Sequence, residues 1–202
     1  MIKFLLENRT EGFTPKKTDK QFSFDGDNTY LKFISEHNGG YFFNNSLHLF
    51  GTDSEAIYHD LLYRNNFFKM NYGNMVENLF FIGEDLFGNA FAFEEKSICL
   101  FNIETGEKEI LASDFKAWLL LLKNDLDYLT GVSFTKNLSE SEIASLAKGK
   151  RLSAKYPFVL GGAYAAENLA FKSFEENLEY NSLIAKQIKD LPDGAQIKIE
   201  IT

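Results

Sequence analysis

The chain has 202 residues, a formal net charge of −8 and one cysteine, Cys99. That length fits one large domain, or one domain with an extension, and buries a core without a metal or disulfide staple. A lone thiol excludes an internal disulfide framework, and a negative surface disfavours nucleic acid and anionic membrane as partners. Charge is uneven, with 11 Asp plus Glu against 4 Lys between Met75 and Thr130. Aromatics are lopsided: 21 Phe and 9 Tyr against 1 Trp. Phe has no polar handle, so most rings are expected in the core, and any surplus at the surface would mark a partner site.

In chain order, Ile2–Leu6 reads as a short strand, followed by a basic Gly/Pro-containing loop through Lys16, Lys17 and Lys20. Asp27 or Asn28 caps a helix from about Thr29 to His37, with Tyr30, Phe33 and Ile34 on one face. Asn38-Gly39-Gly40 ends it. Tyr41–Phe43 and Leu47–Phe50 read as strands around an Asn44-Asn45 turn. Asp53 is expected to cap a second helix spanning Ile57, Leu61 and Arg64, before a loop at Asn71–Asn74.

Residues 80 to 95 are the most informative stretch. Phe80, Phe81 and Ile82 form one apolar run. Phe91 and Phe93 alternate with Ala90 and Ala92 in another, as in a strand with one heavily packed face. Gly83 and Gly88 bracket Glu84, Asp85, Leu86 and Phe87, which predicts a hairpin. Ser97–Asn102 and Lys108–Leu111 form a second hairpin around Glu104-Thr105-Gly106-Glu107. Ser113 or Asp114 caps an apolar helix from Phe115 to about Tyr128, whose four consecutive leucines predict broad burial. Ser139 and Glu142 have capping-box spacing, and Gly149 ends their helix. Tyr156–Gly162 reads as an extended apolar segment, Phe174–Lys189 as a helix with Phe174, Leu178, Ile184 and Ile188 inward. Leu191-Pro192-Asp193-Gly194 reads as a turn, and Gln196–Ile201 as a half-exposed strand. The fold class is therefore α+β: a central antiparallel sheet of about four to six strands with helices packed on it. Residues 1–130 form the main domain, and residues 131–202 a helix-turn-strand extension packed on the same globule.

Reaction chemistry is hard to find. His37, His48 and His59 have no metal-ligand spacing to one another or to Cys99, which reads as a buried structural thiol. No phosphate-cradling glycine loop and no nucleophile elbow is present. Glu84 and Asp85 are the best acid–base candidates, but neighbours in a strand face opposite sides, and Asp85 is suited to bonding the backbone of its own turn. No cofactor or metal is expected. Met1–Glu7 is too short and too soon charged for a signal peptide. The longest apolar run, Ala117–Leu122, is far below the roughly 20 residues that span a bilayer. These points predict a cytoplasmic protein without membrane insertion.

Three segments together resemble the SUKH superfamily: Tyr30–Tyr41 running into Asn38-Gly39-Gly40, the Phe80–Phe93 hairpin with Gly83, Asp85, Gly88 and Asn89, and the Ile98–Ile110 hairpin with the helix starting near Asp114. The stretches Pro157–Gly162, Glu167-Asn168-Leu169, Ala185–Ile188 and Asp190–Gly194 resemble an extension found on some bacterial members. The resemblance implies a compact protein-binding domain without a conserved catalytic centre. Bacterial members are immunity proteins that neutralise secreted polymorphic toxins; a fungal member regulates cell-wall glucan synthesis. Three functions follow: an immunity protein for a cognate toxin, a regulatory scaffold, or, third, a small-ligand binder or enzyme. A basic toxin domain suits an acidic binder, and Glu84, Asp85, Phe87, Glu94 and Glu95 are the expected partner-binding residues.

Overall fold

The computed structural model describes residues 1–13, 24, 26–52, 56–192 and 194–195. The basic loop at Lys16, Lys17 and Lys20, the Asp53 cap, Asp193 of the last turn and the Gln196–Ile201 strand lie outside the described residues.

Seven strands form one antiparallel meander in chain order: β1 (Arg9–Gly12), β2 (Gly40–Phe42), β3 (Leu47–Leu49), β4 (Leu79–Glu84), β5 (Ala90–Glu94), β6 (Ser97–Phe101) and β7 (Lys108–Ala112). The sheet exceeds the expected strand count because Arg9–Gly12, read as loop, pairs with β2. Helices α1 (Ile2–Glu7), α2 (Asn28–His37), α4 (Phe115–Asn124) and α5 (Leu126–Thr130) cover one face of the sheet. Helices α3 (Leu61–Tyr72) and α7 (Phe174–Ile188) cover the other. A two-stranded sheet of β8 (Arg151–Ala154) and β9 (Leu169–Lys172), with α6 (Glu140–Leu146), completes the described chain.

Strand β5 shows how the sequence builds two cores at once. Phe91 and Phe93 face α2 and α4, whereas Ala90 and Ala92 face α3 and α7. The alanine face is as buried as the phenylalanine face. Small residues there make room for Phe68, which stacks on Phe81 at a centroid distance of 3.8 Å. The expectation of one heavily packed face is thus corrected: both faces are packed, with ring size divided between them.

Local expectations fare unevenly. Asp27 caps α2, Asp114 caps α4, and Ser139 forms the full capping box of α6. Asn38 closes α2 in the left-handed conformation. Ile2–Leu6 is helix rather than strand, because Ile2 and Leu5 at i, i+3 bring Leu5 into the core with α4; short apolar runs do not separate the two states. Helix α3 starts at Leu61 behind an Asp60 cap, preceded by a 3-10 turn at Ile57–His59. Asn71–Asn74, read as loop, is the end of α3 and the start of a 3-10 turn. The Phe115–Tyr128 helix breaks at Asp125, and Leu120 stays exposed while Leu119 and Leu122 are buried, so α4 packs by one face.

Candidate partner-binding surface

The β4–β5 turn is built by Asp85. Its Oδ1 accepts from the Phe87 and Asn89 backbone N–H groups, both at 2.8 Å, and its Oδ2 from Asn89 Nδ2 at 3.0 Å. Gly88 has φ +92°, and a Cβ there would lie 2.5 Å from Asn177 Nδ2; only glycine fits that backbone and that approach. At Gly83 the constraint is proximity, since a Cβ would meet the His48 carbonyl oxygen at 2.6 Å. Burial pushes the Asp85 carboxyl up to about 7, against the pull of its N–H donors.

Glu84 turns the other way, into a closed polar cluster, and is 1% exposed. Arg64 Nη1 donates to its Oε2 at 2.9 Å, Arg151 Nε lies 3.1 Å from its Oε1, and His48 Nδ1 lies 3.0 Å from the same oxygen. Burial alone would raise this carboxyl, but Arg64 and Arg151, helped by His48, hold it at about 2. A carboxylate only accepts, so His48 Nδ1 carries the proton. His48 Nε2 is then the acceptor facing His59 Nδ1 at 3.3 Å, and the Tyr41 hydroxyl lies 3.4 Å from that His59 nitrogen. Desolvation, then the two arginines, lowers His59 to about 4; desolvation depresses His48 further still. Arg64 donates from Nε to the Tyr58 carbonyl at 2.7 Å, and its guanidinium sits 3.7 Å over the Phe174 ring. All six side chains are buried. They join β2, β3, the 3-10 turn, α3, β4 and β8, so the cluster pins the sheet to its neighbours and offers no group to solvent.

The five expected partner-binding residues therefore do not form one surface. Glu84 and Asp85 are buried, and this corrects their expected exposure: one is held by arginines, the other by its own turn. Glu94 and Glu95 lie at the far end of β5, roughly 13 Å along the strand from Ala90. Glu95 is exposed, and Glu94 pairs with Lys108. They border the outer strand β7, where Glu109 and Ile110 are exposed. At the turn end Phe87 alone of the five is partly exposed, and there it lines a cleft.

That cleft, about 270 Å³ in volume, lies between the β6–β7 turn, β8 and the segment 158–164. Three rings wall it. Phe158 and Tyr164 stack at 3.8 Å with planes 5° apart, and Phe87 stands edge-on to both. Glu104 forms the polar side: its carboxylate accepts from the Phe158 and Val159 backbone N–H groups, and burial raises its pKa. This anchor explains why Tyr156–Gly162, expected to be extended, turns into a 3-10 helix at Phe158–Leu160. Asn168 clamps the same segment: its Oδ1 accepts from Tyr156 N, and its Nδ2 donates to the Tyr156 and Ala163 carbonyls. Tyr156, Val159 and Tyr164 are left exposed, Tyr164 at 66%.

Residues 16–121 match the SMI1 / KNR4 family (SUKH-1). The chain belongs to that family. Comparison with curated proteins returns no match. Among solved structures, the chain is similar to the crystal structure of Atu4351 from Agrobacterium tumefaciens, with 16% identity, 83% of each chain covered and a TM-score of 0.48.

The SMI1 / KNR4 segment ends inside α4, so the cleft straddles its boundary. Phe87, Asn89, Asn102 and Glu104 come from the matched region, whereas Ser153, Phe158 and Tyr164 come from beyond it. The Glu84 cluster straddles it too, with only Arg151 supplied from outside. Sequence spacing missed both constellations because their members are far apart in the chain, from Tyr41 to Arg151 in one and from Phe87 to Asn181 in the other. The one available signal was burial chemistry: an arginine in an apolar helix face, Arg64, demands an internal acid. Among the described residues, no group of three His, Cys, Asp or Glu side chains is placed to hold a metal, and no helix is long and apolar enough to cross a membrane. Burial also raises the Cys99 thiol to about 11.

Proposed function

We propose that this SMI1 / KNR4 family member is a non-catalytic protein-binding module, and that it works as a cytoplasmic immunity protein capturing and neutralising a basic toxin domain. The observation that carries this reading is the pinned apolar ridge of Tyr156, Val159 and Tyr164 beside the cleft. Large side chains held out to solvent by Glu104 and Asn168 lose little freedom on docking, which is the economy of an interface hot spot. The formal charge of −8, with Glu107 exposed just before β7 and Glu109 exposed on it, supports a basic partner. The buried Glu84 cluster supports a structural rather than a chemical use of the strongest acid–base constellation.

The test is co-expression of the full chain with the toxin domain encoded beside its gene. A one-to-one complex and loss of toxicity are expected. A toxin that stays fully active under excess protein, with several weaker partners recovered instead, would favour the regulatory-scaffold reading.

A further inference from the structure

Resting on the protein-binding reading, we propose that the cleft is a socket for one arginine side chain of the partner, its guanidinium lying against the Phe87, Phe158 and Tyr164 rings and facing Glu104. Four observations converge. Glu104 is the sole charged side chain in the lining, so the cleft has one sign. Among the described residues, Glu104 has no basic group within ion-pair distance; a buried carboxylate without a counter-ion favours an incoming cation. Glu104 and Asp85 both act electrostatically on Tyr164, which places the ring in their field. The volume, about 270 Å³, falls below the roughly 300–1,000 Å³ of small-molecule sites, and so suits a side chain delivered by a protein.

Guanidinium fits better than ammonium. It is planar, stacks on rings and is weakly hydrated, whereas an ammonium is a compact, strongly hydrated charge. Asn89 Oδ1 and Asn102 Oδ1 already accept from the Ile103, Glu104 and Thr105 N–H groups, so the side-chain carbonyl of Asn181, at the cleft wall, is the amide acceptor left for its fork of donors. Beneath it, the buried Ser153 hydroxyl has no hydrogen-bond partner, so the floor is not saturated.

The experiment is NMR titration of the full chain with N-acetyl-arginine amide and, as a neutral isostere, N-acetyl-citrulline amide. Arginine amide is expected to bind weakly, shift the amides of Phe87, Ser153 and Tyr164, and bind at least tenfold better than citrulline amide. Glu104→Gln should abolish that preference. Because Glu104 also holds the 158–160 turn, Tyr164→Leu, an exposed position, provides the second variant and should weaken binding severalfold with an unchanged melting temperature. Equal binding of the two amides, shifts elsewhere, or no binding overturns the socket. A captured toxin whose affinity ignores Tyr164→Leu would leave the protein-binding function standing and remove the socket alone. Arginine amide binding without any protein partner would do the reverse.

Discussion

Glu84→Gln is the sharpest perturbation of the fold. The substitution keeps the shape of the side chain and removes the one negative charge between Arg64 and Arg151, at 2.9 and 3.1 Å. At an effective dielectric constant of about 20, those distances correspond to gross attractions of about 5–6 kcal/mol each. Desolvation of three buried ions offsets much of that sum, so the pair terms are not the net value of the cluster. What the variant leaves behind is two buried guanidiniums with no counter-ion, a situation that costs about 3–5 kcal/mol. For a domain of this size about 1 kcal/mol shifts the melting temperature by roughly 2–4 °C, so a fall of roughly 6–20 °C follows. Urea unfolding and differential scanning calorimetry read it. The triple variant Glu84→Leu, Arg64→Met, Arg151→Met removes every stranded charge and should recover most of the loss. Glu95→Lys, at an exposed turn, should change stability by less than about 0.5 kcal/mol. If Glu84→Gln costs less than about 1 kcal/mol, the cluster does not hold the fold in the way its geometry implies.

Acid should weaken the protein in two steps. His59 has a folded pKa near 4, below its ordinary value of 6.5, so the unfolded chain binds its proton first. Its contribution is present above pH 6.5 and is lost as pH falls from there towards 4. Glu84, held at about 2, adds a loss as pH falls below 4.5. Asp85 acts oppositely: with a folded pKa near 7, its contribution is complete below pH 3.8 and is lost as pH rises to 7. Asp85→Asn should therefore steepen the rise of stability between pH 4 and 7, measured by urea unfolding at several pH values; an unchanged slope contradicts that role. Gly88→Ala, forced onto φ +92° and against Asn177, should cost at least about 1 kcal/mol in the same assay. Cys99, buried with a raised pKa, should react with a thiol reagent no faster than the chain unfolds; rapid labelling of the native protein would place it elsewhere.

Local signals in the sequence were legible where the cause is local. Asp27, Asp114 and Ser139 declare helix starts because the cap bonds within three residues. The Gly83–Gly88 bracket declares its hairpin because the acid between the glycines bonds its own turn. Signals failed where the partner is distant. Nothing near Glu84 in sequence shows that Arg64 and Arg151 reach it, so a turn acid looked exposed. Nothing near Phe158 shows that Glu104 caps its turn, so an apolar run looked extended. His48 and His59 lack ligand spacing, yet the fold brings them 3.3 Å apart. The excess of aromatic residues divides: most rings are buried, as expected of Phe, while Tyr128, Tyr156 and Tyr164 are exposed.

The most direct test of the proposed partner capture is isothermal titration calorimetry of the full chain, wild type and Tyr164→Ala, against a basic toxin domain encoded beside its gene, at two salt concentrations. A one-to-one complex is predicted, weaker at higher salt, and at least tenfold weaker for Tyr164→Ala. No binding by the wild-type chain, with the toxin fully active in its presence, would contradict capture of that toxin outright.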